Sequence, residues 1–182
     1  SDQYPRFKES KIGSKKNFIF LNRGGFGENY IYTLLVDEKK EIKFIRKVAR
    51  KSRFPILAET LIIDKLPKEC TNVIPIQELN DKSVIMPMAD GDLRKRNILS
   101  SKCIKSILKI IAETLYCLWK NGLYYLDIKL ENILYKCVDN KLQIFLGDLG
   151  SIFEGPNNKL FPRTLFSQNI HDKVRLFNIN DF

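Results

Sequence analysis

The spacing of apolar and polar positions divides the chain into two parts with different periods. In the first part the apolar runs are short and spaced like strands: "NFIFL" (17–21), "NYIYTLLV" (29–36) and "EIKFIRKVA" (41–49). The last two, separated by the polar "DEKK", predict a hairpin. Pro55 fits the first turn of a helix running to about Leu66, where Pro67 stops it. "NVIPIQEL" and "KSVIMPM" flank Asn80-Asp81 and predict a second strand pair.

The period then lengthens. Ile104, Ile107, Leu108, Ile111, Leu115 and Leu118 recur at helical spacing, with Lys105, Lys109 and Glu113 away from the stripe. Ser100 or Ser101 fits the N-cap, and Gly122 lies just past the end. "ILYKCV" and "LQIFLGD", joined across Asp139-Asn140, predict a third hairpin, and "LGSIFEGPNNKLFPRTLFSQN" reads as loop. A strand-rich lobe followed by a helical lobe implies a cleft between them, with Met86 to Gly91 as the connector.

Composition narrows the class. The chain has 182 residues, 44% of them hydrophobic, enough for one large domain or two small lobes. No run approaches the eighteen or so apolar residues of a membrane span, and "SDQYPRFKESKIG" has no apolar run of signal-peptide length. Cys70, Cys103, Cys117 and Cys137 form no C-x-x-C pair, and His171 is the single histidine. The expectation is neither a zinc site nor a disulfide framework, and a reducing compartment, cytoplasmic or nuclear. The net charge of +10, concentrated in "RKVARKSR" and "RKR", fits a solvated basic surface, an anionic ligand, an acidic protein partner or nucleic acid.

Four polar groups interrupt the apolar "LYYLDIKLENIL" (123–134): Asp127, Lys129, Glu131 and Asn132. A segment needing only burial would not carry them. Upstream, "NRGGFGEN" places Gly24, Gly25 and Gly27 between two strands, where glycines let the backbone fold closely over a phosphate. Lys47 falls on the third strand, and Glu59 on the following helix could hold its flexible stem. Downstream lies "GDLG", containing Asp148.

In this order the motifs resemble the eukaryotic-type protein-kinase catalytic domain. "DIKLEN" is similar to the catalytic loop H-R-D-L-K-x-x-N, and "GDLG" to the metal-binding D-F-G with Leu149 replacing the aromatic residue. "GGFGENY" and "GDL" resemble the casein-kinase-1 and vaccinia-related branch somewhat more closely. The resemblance implies an α+β, two-lobed protein-kinase-like fold, with an antiparallel β-sheet N-lobe and a helical C-lobe that ends early. Its divisions are an N-terminal extension (1–16), N-lobe (17–86), hinge (87–91) and partial C-lobe (92–182).

The resemblance also implies roles. Lys47 contacts the α- and β-phosphates of ATP, oriented by Glu59, while the glycines cover the phosphates. Asp127 takes the substrate hydroxyl proton, and Lys129 stabilises the transferring phosphoryl group. Asn132 and Asp148 hold Mg²⁺, an ion suited to oxygen ligands. Ile85 lines the back of the adenine pocket, and the backbone of Met86 and Met88 meets the adenine edge. Asp92 binds ribose hydroxyls or caps a helix. Asp181 begins the central helix of the C-lobe and braces Asp127. The Ile104–Leu118 stripe is then left for a protein partner or further chain to cover.

This sequence departs from the family pattern at several places. Asn22 replaces the first glycine of the loop, and Asn29 stands where a valine covers adenine. Tyr125 and Leu126 replace His-Arg, with Tyr125 still able to pack as an aromatic residue. No A-P-E follows "FPRT". The leading reading is an ATP-dependent Ser/Thr kinase acting on a protein substrate, acidic if the net charge guides it. The alternatives are a pseudokinase binding module and a small-molecule phosphotransferase. A purely nucleic-acid-binding role leaves the ordered constellation unexplained.

Overall fold

Long β-branched and aromatic runs build the first sheet. The computed structural model describes residues 18–24, 27–37, 40–50, 54–95 and 100–155. β1 (Phe18–Arg23), β2 (Gly27–Asp37) and β3 (Lys40–Ala49) form an antiparallel meander, joined by β4 (Gln77–Asn80) and β5 (Ser83–Pro87) in the order β1-β2-β3-β5-β4. Side chains alternate across a strand, so register decides which residues share a face. Lys47 pairs with Asn29 on one side and Val84 on the other, while Arg46 pairs with Ile85.

Ile85 packs with Tyr32 and Phe44 in a small core of its own. This corrects its expected place lining a nucleotide pocket. The face bearing Lys47 carries Val84 and, two residues on, Met86, which packs against the main core.

α1 (Phe54–Ile63) crosses behind β3. Its last bond runs from the Leu66 amide to the Ile62 carbonyl (3.0 Å), just before Pro67, where the sequence predicts the stop. Residues 72–74 then lie along β9 (Lys141–Leu146): Ile74 N–H donates to the Leu146 carbonyl (2.8 Å), and Leu146 N–H to the Asn72 carbonyl (2.8 Å).

α2 (Ser101–Lys120) is capped by the Ser100 hydroxyl, which accepts from Cys103 N–H. It ends at Gly122, whose φ of +72° suits a residue without Cβ. Ile107, Ile111, Thr114 and Leu118 are buried, but Ile104 and Leu108 are exposed, as are Tyr116 and Trp119. The predicted stripe is therefore split, one edge in the core and the other in solvent among the described residues.

β6 (Gly91–Asp92), β8 (Ile133–Val138) and β9 (Lys141–Leu146) form a second sheet. Asp139 and Asn140 turn the β8–β9 hairpin with φ of 50° and 61°, the doubly positive pair of a type I′ turn. β7 (Leu123–Tyr125) pairs with β10 (Ile152–Glu154), which follows a 3₁₀ turn at Leu149–Ser151. β10 falls within the stretch expected to be loop. Three residues are too few to show a period, and the strand exists because Ile152 and Phe153 are buried against β7.

Cys70 and Cys117 form a disulfide that ties the turn after α1 to α2. This corrects the expectation of unpaired cysteines. The two residues meet only through tertiary packing, which no local spacing reveals. Cys103 and Cys137 are not part of a disulfide. Among the described residues no helix is long and apolar enough to cross a membrane.

Candidate active site

β3 presents Lys47 toward α1, where its ammonium pairs with Glu59. Glu59 is 2% exposed, so its carboxylate is held by Lys47 rather than by water. Burial works against the Lys47 charge, but Glu59 and Asp148 outweigh it and hold the ammonium above the ordinary lysine value. Burial raises Glu59 above the usual carboxylate range, with Lys47 opposing the shift. Asp148 perturbs both groups, which places it in the same electrostatic neighbourhood. α1 also packs directly on the Leu149–Ser151 turn that follows Asp148.

Asp148 adopts a left-handed backbone, φ 52° and ψ 71°. For a residue with a Cβ this costs about 1 kcal/mol or more and concentrates at functional positions. The Ser151 hydroxyl donates to Asp148 Oδ2 (3.0 Å) and Ser151 N–H to the Asp148 carbonyl (3.0 Å). The Asp148 side chain is solvent-exposed, so its remaining lone pairs are accessible to a cation.

The loop between β7 and β8 gathers the other charged groups. Lys129 Nζ lies 2.6 Å from Asp127 Oδ2, and this bond raises the lysine above its ordinary value. Asn132, buried, donates through Nδ2 to the Asp127 carbonyl (2.9 Å) and to Asp127 Oδ2 (3.1 Å). With the amide nitrogen committed, its oxygen is the atom left to ligate a cation. Gly147 N–H donates to the Asn132 carbonyl (2.8 Å), and Leu126 N–H to Ser151 (3.0 Å). These bonds lace the loop of Asp127 to the segment of Asp148.

A group that the sequence left as mere packing enters here. The Tyr125 hydroxyl donates to the Gly147 carbonyl at 2.5 Å. Its ring lies one residue from Leu126 and two from Asp127, and that position was the available signal.

The glycine turn is closed by Gly24 N–H on the Gly27 carbonyl (2.9 Å). A Cβ on Gly27 would stand 2.8 Å from the Val48 carbonyl oxygen, so only glycine fits. Gly25 lies outside the described residues. Flanking the turn, Asn29 Nδ2 donates to Asn22 Oδ1 (2.8 Å). Arg23 bonds Glu28 (3.0 Å), which also accepts from the Tyr30 hydroxyl (2.7 Å).

The connector departs from expectation in detail. Met88 N–H donates to the Lys43 carbonyl (3.1 Å), and Met86 sits within β5 opposite Ile45. Asp92 accepts from Arg94 N–H (3.0 Å) and pairs with its guanidinium. Of its two expected roles, the structure displays the cap. Asp181 lies outside the described residues.

The arrangement sets two cations, Lys47 and Lys129, three carboxylates, Glu59, Asp127 and Asp148, and the Asn132 amide around one region bridging a sheet and a helical part, groups chemically able to hold phosphate and a cation. The sequence matches the family model described as protein kinase domain over residues 20–166, and the chain belongs to that family.

Proposed function

We propose that the chain is an ATP-dependent protein kinase that transfers the γ-phosphoryl group to a serine or threonine hydroxyl. The observation that carries this is the Asp127–Lys129–Asn132 cluster: a carboxylate fixed from two sides beside a lysine ammonium. In this reading Asp127 orients the hydroxyl and accepts its proton, and Lys129 stabilises charge developing on the transferring group. Lys47, braced by Glu59, binds the nucleotide phosphates, and Gly24, Gly25 and Gly27 cover them. Lysine two residues after the aspartate is the reason for choosing serine or threonine.

The donors fit Mg²⁺: an exposed carboxylate, Asp148, and an amide oxygen, Asn132, with phosphate and water completing an octahedron. When bound, the ion would neutralise phosphate charge. Met86, Met88 and Asp92 are proposed to border the nucleotide, with Met88 using groups other than its engaged amide. The net charge of +10 supports an acidic protein substrate. The exposed Ile104, Leu108, Tyr116 and Trp119 of α2 are the surface proposed for a protein partner or a further part of a longer chain.

A second reading, a pseudokinase binding module, is favoured by one observation. Asn29 shares the face of Lys47 and is bonded to Asn22, which makes the proposed roof over the adenine polar. Radiolabelled ATP with Mg²⁺, an acidic and a basic protein substrate, and Asp127→Asn as control separates the two. Transfer by the wild type that is lost in the variant supports the kinase. No transfer by either supports the binding module.

A further inference from the structure

Asp92 and Glu131 bring two further carboxylates to the rim of the site. Glu131 belongs to the 3₁₀ turn Leu130–Asn132, in the same loop as Asp127. It is the neighbour of Asn132, whose amide bonds Asp127 Oδ2 (3.1 Å). Asp92 ends β6 and pairs with Leu134 of β8. β6 and the Leu93–Lys95 turn after it pack on the turn that carries Glu131. Two carboxylates so placed could select a basic side chain on a protein substrate through charge-assisted hydrogen bonds.

A cation of the chain itself already stands between them. Arg94 Nη1 lies 3.6 Å from Glu131 Oε1. The other edge of the guanidinium makes a two-point bond to Asp92, Nε to Oδ1 (3.2 Å) and Nη2 to Oδ2 (3.0 Å). The Arg94 N–H also donates to Asp92 Oδ1 (3.0 Å), and the preceding Leu93 is buried in the main core. The planar fork is thus fixed at both its backbone and its tip. A tethered partner acts at an effective concentration on the order of millimolar. A basic side chain on a substrate present at about micromolar concentration does not displace it. The Arg94 and Glu131 side chains are 53% and 39% exposed, so a substrate can reach them. Exposed ion pairs contribute little to folding, and removing Arg94 should spare the fold.

We infer that Arg94 is a specificity-determining residue: by occupying Asp92 and Glu131 it denies both carboxylates to a basic residue of the protein substrate. The inference rests on the phosphotransferase reading. Specificity here comes from exclusion rather than from a new attraction. The substrate class it leaves is one whose acceptor hydroxyl lies among acidic or neutral residues.

The test uses the full chain with saturating ATP and Mg²⁺. The substrates are peptides with one serine in an alanine–glycine background, and one arginine moved in turn through the flanking positions. kcat and KM are measured for wild type, Arg94→Ala, Arg94→Gln, and Arg94→Ala combined with Glu131→Gln. Wild type should use the arginine peptides no better than the arginine-free parent. Arg94→Ala and Arg94→Gln should leave the parent peptide unchanged and gain about tenfold in kcat/KM at one or two arginine positions, through KM. The double variant should lose most of that gain. A flat scan in Arg94 variants that remain active on the parent overturns the inference and leaves the phosphotransferase reading standing. So does a wild type that already favours arginine peptides tenfold, or a gain undiminished by Glu131→Gln. A wild type that transfers phosphate to neither peptides nor generic proteins sinks both. If one Arg94 variant fails to fold, the other decides.

Discussion

Lys47 and Glu59 form an ion pair between β3 and α1, with the carboxylate almost completely sealed from solvent. Neither charge can be removed without stranding the other. Lys47→Met and Asp148→Asn should each reduce phosphotransfer by about a hundredfold or more, since the first removes a cation on the nucleotide phosphates and the second a carboxylate ligand of the metal ion. Steady-state assays that find wild-type turnover in either variant would end the kinase assignment. Glu59→Ala should lower stability by about 1 to 3 kcal/mol in urea melts, because it leaves the partly buried Lys47 ammonium without its paired carboxylate.

The same pair fixes a dependence on pH. The carboxylates raise Lys47 above its ordinary 10.5 in the folded state. The folded chain then holds this proton where the unfolded chain has lost it. The stabilisation is complete below 10.5 and lost as pH rises through the higher folded value. The stability advantage of wild type over Lys47→Met should persist unchanged from pH 8 to 10 and shrink above that range. Its disappearance by pH 8 would show that the lysine is neutral in the folded protein.

Much of this site was legible because each group sits in a short local pattern: glycines between two strands, Asp127 to Asn132 within one loop, and Asp148 after a strand. What was not legible depends on register or on distant contacts. Ile85 and Val84 are equally apolar, and only the pairing of Lys47 with Val84 shows which faces the lysine. Tyr125 reads as core, and its hydroxyl acquires a role only when Gly147 is folded back against it.

The Cys70–Cys117 bond is the extreme case of a contact no spacing reveals, closing a separation of 47 residues. Cross-linking a loop of that length restricts the unfolded chain by about 4 kcal/mol on the entropic account. Replacing both cysteines with serine, or adding reductant, should lower the melting temperature clearly. Identical melting curves with and without reductant would show that the bond contributes nothing to stability.

Leu126 bears on regulation. A phosphate on a loop usually acts by pairing with arginine, and the residue before Asp127 is a hydrocarbon whose amide is already bonded to Ser151. Thr164 and Ser167 lie outside the described residues. Phosphatase treatment of the purified chain should leave its rate nearly unchanged. Collapse of activity would reveal another cation serving that phosphate.

Asn29 offers a gain rather than a loss. It lies opposite Lys47 on the same sheet face, and its amide is tied to Asn22 at the exposed hairpin. If a nucleotide base stacks beneath this roof, the amide must be partly dehydrated without gaining a partner in the base plane, which costs free energy. Valine removes that cost and adds apolar area, and β-branched side chains suit a strand. Asn22 is exposed, so water can replace its lost partner. Asn29→Val should therefore tighten ATP binding by about tenfold, the effect of burying one to two further methylene groups. Competition with a fluorescent nucleotide measures it directly. Unchanged or weaker binding would show that the amide pair itself grips the nucleotide.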